Sequence, residues 1–301
     1  MRILMPIDGS TFSNAALSFI ASRSSLIESQ PDVELLNVQY AVSARVARAA
    51  GRELVQHYHA SEFNKVIKPA VATLKRAGLR VQVKSVVGSP GVEVGRIAAQ
   101  DAADLIVMGS HGHTGFKNLL FGSVTQAVLA SCATPLLVLR SDAVPKKDSL
   151  KLGIALDGSK YGLAAVRFVV KHRALFGAAP SLTLVHVVPD LLNLVVPGFF
   201  GDAPVPGFKP EQVTEMQRAA FERAMAPARK LLQGTAFQVT EVQLSGNNPG
   251  DAIAAYATKN KLDILAMGSH GEGALRSMVL GSVATRVAAK CRNALLLIQQ
   301  K

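Results

Sequence analysis

The chain has 301 residues, 49% of them hydrophobic and 18% charged, so it is long enough for about two domains and too apolar to be disordered or collagen-like. Its formal charge of +12 is spread evenly, +5 over residues 1–150 and +7 over residues 151–301, which predicts a general attraction for anions but no specific nucleic-acid site. Its two cysteines are too few for a disulfide framework. The sequence shows no secretory signal and no apolar run near ~20 residues, which predicts a cytoplasmic protein without a membrane span.

The first half alternates short apolar strands with helices. The predicted elements are strand Arg2–Ile7, helix Thr11–Glu28, strand Val33–Val38, a long helix within Val46–Ala77, strand Leu79–Val87, helix Pro90–Ala103, strand Leu105–Met108, helix Gly122–Ser131 and strand Leu136–Leu139. Nearly continuous apolar strands such as LIVM and LLVL are typical of a parallel sheet covered on both faces. The pattern predicts an α/β fold with a doubly wound sheet, in which ligands bind beyond the carboxyl ends of the strands where the strand order reverses.

The second half repeats the first. Ile3–Ser10 reads ILMPIDGS and Leu152–Ser159 reads LGIALDGS, while Asp104–Val124 and Asp263–Val283 are identical at nine of 21 positions. A period near 150 residues indicates a duplicated domain rather than a solenoid repeat.

The boundary between the copies is expected in the polar segment before Lys151. We predict one domain over residues 1–141, a linker over residues 142–150 and a second domain over residues 151–301. The spacing between matching motifs is ten residues longer in the second copy, and we expect that net insertion in Pro189–Pro210.

A glycine pattern follows the fourth strand of each copy. Its residues are Gly109, Gly112 and Gly122-Ser123 in the first copy, and Gly268, Gly271 and Gly281-Ser282 in the second. Glycine allows positive φ and lets backbone N–H groups approach an anion without a Cβ between them, and a helix start favours phosphate. The alternative is that these glycines only end a strand and cap a helix, but identical spacing in two copies favours phosphate binding.

Asp8 and Asp157 end the first strand of each copy, beside the predicted reversal of strand order. A carboxylate there can accept two hydrogen bonds from a ribose diol. The alternative is a helix N-cap, although Ser10 and Ser159 could supply that cap instead.

These motifs in both copies resemble the universal stress protein family, and the whole chain resembles its tandem-domain members. The resemblance implies a five-stranded parallel sheet of order 3-2-1-4-5 in each domain and an adenine nucleotide, ATP with or without Mg²⁺, in each site. It implies adenine against Val38 and Val187, ribose on Asp8 and Asp157, and phosphates on the glycine loops. The implied contacts of the first copy are Pro6, Ile7, Asp8, Val38, Met108, Gly109, His111, Gly112, Gly122, Ser123, Val124 and Thr125. Those of the second copy are Ala155, Leu156, Asp157, Val187, Met267, Gly268, His270, Gly271, Gly281, Ser282 and Val283.

Some features of the sequence leave alternatives open. Ala284 replaces Thr125 in the second copy, which would remove one hydroxyl contact to phosphate. Of His111 and His113 in the first loop, only the former recurs in the second, as His270, and this recurring histidine is either a phosphate contact or an exposed loop residue. The Phe-containing loop Pro197–Phe208 is either a lid or a segment that packs on its domain, and Ala41–Leu54 is expected to form a basic flank of the first copy.

The sequence therefore predicts an ATP-binding stress-response protein that acts as a nucleotide-dependent regulator through unidentified protein partners. A scaffold or chaperone-like protein with vestigial sites, or a slow ATPase, is the alternative. Each copy ends in an apolar edge strand, Leu136–Leu139 or Leu295–Ile298, which must be paired or covered. The resemblance implies that the two copies pair with each other through these strands, and a homodimer is left open. We expect Leu137 and Leu296 to be buried at that contact.

Overall fold

The computed structural model describes residues 1–112, 120–140, 144–191, 209–271 and 280–299. Within these ranges, no helix combines the length and the apolar character that a membrane crossing requires. The predicted loop Pro197–Phe208, the residue His113 and part of the predicted linker lie outside the described residues.

The first half contains five strands and six helices in alternation over the described residues. They are β1 (Arg2–Pro6), α1 (Thr11–Ala21), α2 (Ser24–Glu28), β2 (Asp32–Gln39), α3 (Ala44–Ala50), α4 (Arg52–Arg76), β3 (Val81–Val87), α5 (Pro90–Gln100), β4 (Leu105–Gly109), α6 (Ser123–Ser131) and β5 (Leu136–Leu139).

Two helices predicted as continuous are divided. The helix expected over Thr11–Glu28 ends at Ala21 and resumes at Ser24, with Arg23 in a non-helical conformation. The long helix expected within Val46–Ala77 is divided by Gly51, whose φ of +82° lies in a region that glycine adopts without strain. These local conformations are not visible in the hydrophobic periodicity.

The second half repeats the order of the first. Its described elements are β6 (Lys151–Ala155), α7 (Lys160–Lys171), a short 3₁₀ turn (Arg173–Phe176), β7 (Ser181–Val188), α8 (Pro210–Leu232), β8 (Gln238–Ser245), α9 (Pro249–Lys259), β9 (Ile264–Gly268), α10 (Ser282–Lys290) and β10 (Ala294–Ile298).

The ten strands of the described residues form one continuous sheet in the order β3-β2-β1-β4-β5-β10-β9-β6-β7-β8. Each half has the predicted internal order 3-2-1-4-5 with parallel neighbours, which confirms the α/β class. The strand order reverses between β1 and β4 in the first half and between β6 and β9 in the second, so these are the crevices where a doubly wound sheet binds ligands.

The two halves join at an antiparallel pair of their last strands. Leu296 of β10 lies opposite Leu137 of β5, and both side chains are fully buried. We call this pair of strands, β5 and β10, the seam. Beside it, Arg140 Nη2 donates to Ala288 O at 2.7 Å, and Gln299 Nε2 donates to Leu129 O at 3.1 Å. The pairing removes the exposed apolar edge that each copy would present alone, and the expected pairing of the two copies is confirmed.

Apolar side chains fill both faces of the continuous sheet. Two clusters of buried residues, one including Ile3, Leu137 and Leu296 and the other including Leu4, Leu136 and Leu297, follow the alternation of side chains along the strands. Both cysteines end a helix and are buried, and burial raises the pKa of the Cys291 thiol. The core extends across the seam, since residues of both halves belong to each cluster.

Candidate functional site

Each half has a cavity at the carboxyl edge of the sheet, beside its reversal of strand order. The cavity of the first half, site 1, lies beyond β1, β2 and β4 and has a volume of about 690 Å³. The cavity of the second half, site 2, lies beyond β6, β7 and β9 and has a volume of about 430 Å³. Every residue predicted for the first copy lines site 1, and every residue predicted for the second copy lines site 2.

A backbone hydrogen bond closes the glycine loop of each site. The N–H of Gly122 donates to Ser110 O at 2.8 Å, and the N–H of Gly281 donates to Ser269 O at the same distance. The helix then begins at the next residue, and no side chain in the described part of the chain caps either first turn. The N–H groups and the dipole of this turn therefore favour an anion at the cavity wall.

The loop glycines are required for close approach rather than for unusual dihedral angles. None of the six glycines of the pattern uses the positive φ that glycine allows, since the described glycines with positive φ lie elsewhere. A Cβ on Gly109 would lie 2.5 Å from Phe12 Cβ and 2.6 Å from its carbonyl carbon, and one on Gly268 would lie 2.5 Å from Tyr161 Cβ. Helices α1 and α7 thus pack directly on the ends of β4 and β9.

The second glycine of each loop faces the first-strand aspartate. A Cβ on Gly112 would lie 2.7 Å from Asp8 Oδ2, and one on Gly271 would lie 2.6 Å from Asp157 Oδ2. The loop and the carboxylate therefore share one wall of the cavity, and no side chain fits between them without moving the carboxylate.

The serines, and not the aspartates, cap the following helices. Ser10 Oγ accepts from the N–H of Ser13 at 3.2 Å, and Ser159 Oγ accepts from the N–H of Gly162 at 3.3 Å. The Oδ1 atoms of Asp8 and Asp157 accept from the N–H of the same two serines at 3.0 and 2.9 Å. This second bond fixes the carboxylate at the end of its strand, and the helix-cap alternative for the aspartates is wrong.

Thr125 and the loop histidines make contacts within the loop. The buried Thr125 hydroxyl lies 3.3 Å from Gly109 O and 3.4 Å from Ser110 O and donates to these carbonyls, so its geometry differs from the expected phosphate contact. His111 Nδ1 lies 3.1 Å from Ser110 Oγ, and His270 Nδ1 lies 2.9 Å from Ser269 Oγ. Thr125 therefore ties the helix start to the end of β4, and Ala284 lacks that tie.

Sequence reasoning missed a polar residue on the second strand of each half. Asn37 Nδ2 donates to Ile7 O at 2.9 Å, and His186 Nδ1 donates to Leu156 O at 2.7 Å. Both carbonyls belong to the residue before the aspartate, so these side chains help to position it. The signal in the sequence was the shared offset of 149 residues, which aligns Asn37 with His186.

Site 1 also has a polar and aromatic outer part that was not predicted. Its additional lining residues include Gln39, Tyr40, Tyr58 and Glu62. The basic flank expected from Ala41–Leu54 is helical in α3, where Arg45 and Arg48 are exposed. Among the described residues, no group of three His, Cys, Asp or Glu side chains is arranged to hold a metal ion.

The chain is similar to known proteins. A model of the universal stress protein family matches residues 1–140 and again residues 150–299. A universal stress protein of Mycolicibacterium smegmatis is 24% identical over 309 residues, which cover 99% of this chain and 97% of that protein. One of Methanocaldococcus jannaschii is 42% identical over 67 residues, which cover 22% of this chain and only 41% of that protein. A crystal structure of a universal stress protein from Archaeoglobus fulgidus aligns with a TM-score of 0.66 at 21% identity, over 99% of this chain and 96% of that one, and so shares the fold.

Proposed function

Because the chain belongs to the universal stress protein family, we propose that it binds an adenine nucleotide, ATP, in site 1 and site 2 and acts as a nucleotide-dependent regulator in the stress response. The observation that carries this proposal is the same constellation in both cavities: a closed glycine loop, an uncapped helix start and a fixed carboxylate. We assign one site to each predicted domain, residues 1–141 and residues 151–301.

The residues present suit the three parts of such a ligand. The N–H groups at the start of α6 and α10 would hold phosphate oxygens, with Ser123 and Ser282 exposed at the same edge. Asp8 and Asp157 would accept hydrogen bonds from the ribose hydroxyls. The half-buried Val38 and Val187 would contact the base. Mg²⁺ would screen the charge of the phosphates when it accompanies ATP.

We assign a binding role rather than rapid turnover to these sites. The described lining offers mainly backbone N–H donors to a phosphate, and its carboxylates are Asp8 and Glu62 in site 1 and Asp157 in site 2. Fast phosphoryl transfer would in addition need a positioned nucleophile and charges that stabilise the transferred group. Bound nucleotide would then act by changing contacts with protein partners, in the chain alone or in a homodimer.

The proposal is tested by the ligand that the protein retains. The full chain, purified without added nucleotide, is denatured, and the released small molecules are identified by chromatography and mass spectrometry. We expect adenine nucleotide, or an empty protein that binds two equivalents of ATP in calorimetry. A protein that releases none and does not bind added ATP would instead be a scaffold with vestigial sites.

The aspartates should distinguish ribose from deoxyribose. For the double variant Asp8→Ala/Asp157→Ala we expect ATP affinity to fall by about 1–3 kcal/mol, because charged hydrogen bonds to the hydroxyls are lost. The preference of the protein for ATP over 2′-deoxy-ATP, measured by calorimetry, should fall with it. Asp32→Ala, at the exposed opposite end of β2, is the matched control and should change neither value. Equal weakening of both nucleotides would instead give the aspartates a purely structural role.

A further inference from the structure

Two exposed tyrosines form the outer part of site 1. Tyr40 follows β2 and is 68% exposed, and Tyr58 on α4 is 53% exposed, yet both line the cavity that contains the glycine loop. Glu62 lies one helical turn after Tyr58 and lines the same cavity. Large aromatic side chains left in water beside a ligand cavity are typical of a surface that a ligand covers.

A hydrogen-bond framework joins the residues beside the two tyrosines. Gln39 Nε2 donates to His59 O at 2.9 Å, and His59 Nδ1 donates to Gln39 Oε1 at 2.6 Å. Gln39 Nε2 also lies 3.2 Å from Asn37 Oδ1, which extends the framework toward the end of β1. Because Gln39 and His59 are the chain neighbours of Tyr40 and Tyr58, this double contact fixes where both aromatic residues emerge.

The second domain provides an internal comparison. Helices α4 and α8 each contain one internal proline, Pro69 and Pro227, and aligning them places Gln217 at the position of His59 and Met216 at that of Tyr58. Gln217 Nε2 donates to Pro189 O at 2.9 Å, and Pro189 aligns with Tyr40 through the 149-residue offset of the first strands.

The second domain thus also has a hydrogen bond between the end of its second strand and its long helix. It has Pro189 and Met216, however, at the positions of the two tyrosines. The described lining of site 2 contains no tyrosine or phenylalanine, and its cavity is about 430 Å³ against about 690 Å³ for site 1. The two sites share the glycine loop, the helix start and the aspartate, so the tyrosine-lined outer part is the feature that distinguishes site 1 among the described lining residues.

We propose that Tyr40 and Tyr58 form an aromatic subsite for a second base, and that site 1 therefore takes a dinucleotide whose two nucleosides are joined through phosphates. The inference rests on the proposed function, since one nucleoside must occupy the position at Val38 and Asp8. The second base stacks on the tyrosine rings, an interaction that is tolerant of base identity. The Glu62 carboxylate, which pairs with Lys65 at 2.5 Å, is an acceptor for an exocyclic amino group at this subsite, so it favours adenine, guanine or cytosine over uracil there.

The test compares ATP with diadenosine tetraphosphate in calorimetry on the full chain. Site 2 is silenced by Gly271→Val, because a Cβ there would displace Asp157. We expect site 1 to bind the dinucleotide about tenfold more tightly than ATP, the gain of one stacked base. Tyr40→Ala and Tyr58→Ala should lower the ratio of the two affinities toward one. The matched control Met216→Ala, at the corresponding position of the second domain, should keep the ratio.

The outcomes separate this inference from the proposed function. ATP binding with no preference for the dinucleotide overturns the subsite and leaves the proposed function intact. A ratio that survives both tyrosine substitutions in variants with unchanged circular dichroism also overturns it. If the wild-type chain binds neither ligand, the proposed function itself fails.

Discussion

The double variant Gly112→Val/Gly271→Val should lose nucleotide binding at both sites, by about 100-fold or more, which corresponds to about 3 kcal/mol. A Cβ at these positions would lie 2.7 Å from Asp8 Oδ2 and 2.6 Å from Asp157 Oδ2. The added side chain must therefore displace the aspartate carboxylate that we propose binds the ribose. It would also occupy the space through which a phosphate approaches the loop. In calorimetry each single variant should bind one equivalent of ATP instead of two, and the double variant none.

The same contacts predict that these variants remain folded. The atom that a Cβ at Gly112 would meet is the end of a side chain, which can move at little cost, whereas at Gly109 it would meet the backbone of Phe12. We therefore expect a modest change in the unfolding temperature for Gly112→Val and a large decrease for Gly109→Ala. Gly246→Ala is the control, because its Cβ would lie at an ordinary 3.7 Å from Ala252 Cβ. Binding of two equivalents of ATP by the double variant with wild-type affinity would make the assignment of the phosphate loop wrong.

The topology of the sheet could be predicted from the sequence because its cause is local and repeated. Apolar runs such as Leu105–Met108 and Leu136–Leu139 occur in the same order in both copies, and the resemblance supplied the strand order. The apolar last strands indicated that each sheet edge needs cover, and the resemblance supplied the pairing of these two strands with each other. The predicted long helices are divided by the backbone conformation of single residues, such as Gly51. The hydrophobic periodicity of the sequence does not show such conformations.

The site residues that belong to sequence motifs could be predicted. Those that are brought to the site only by tertiary packing could not. The glycine pattern and the aspartates located both cavities, but the reason for the glycines is packing on Phe12 and Asp8, which lie about 100 residues away in the sequence. One tyrosine of site 1 follows the second strand and the other lies in the second turn of a 25-residue helix, and packing of that helix on the sheet together with the Gln39–His59 contact brings them together. No spacing in the sequence encodes that contact.

A charge buried at the seam should separate the two halves of the sheet. Leu137→Asp would place a carboxylate at a fully buried position opposite Leu296, in the antiparallel pair that joins the two halves. Burial of an unpaired charge costs several kcal/mol, and the strands would separate or the carboxyl group would stay protonated. A compact chain of 301 residues has a radius of gyration of about 19 Å. Small-angle scattering should give a larger value for the variant, or reveal aggregation through the exposed strand edges.

A charge on an outer strand provides the matched comparison for the seam. Val83→Asp alters β3, at the far edge of the same sheet, where the side chain is 48% exposed and the new carboxylate stays in water. We expect that variant to keep the scattering profile of the wild type. Leu296→Asp places the charge on the opposite strand of the pair and should reproduce the effect of Leu137→Asp, because one contact joins both residues. A compact Leu137→Asp protein with an unchanged profile and unfolding temperature would mean that the halves are held together by contacts other than this strand pair.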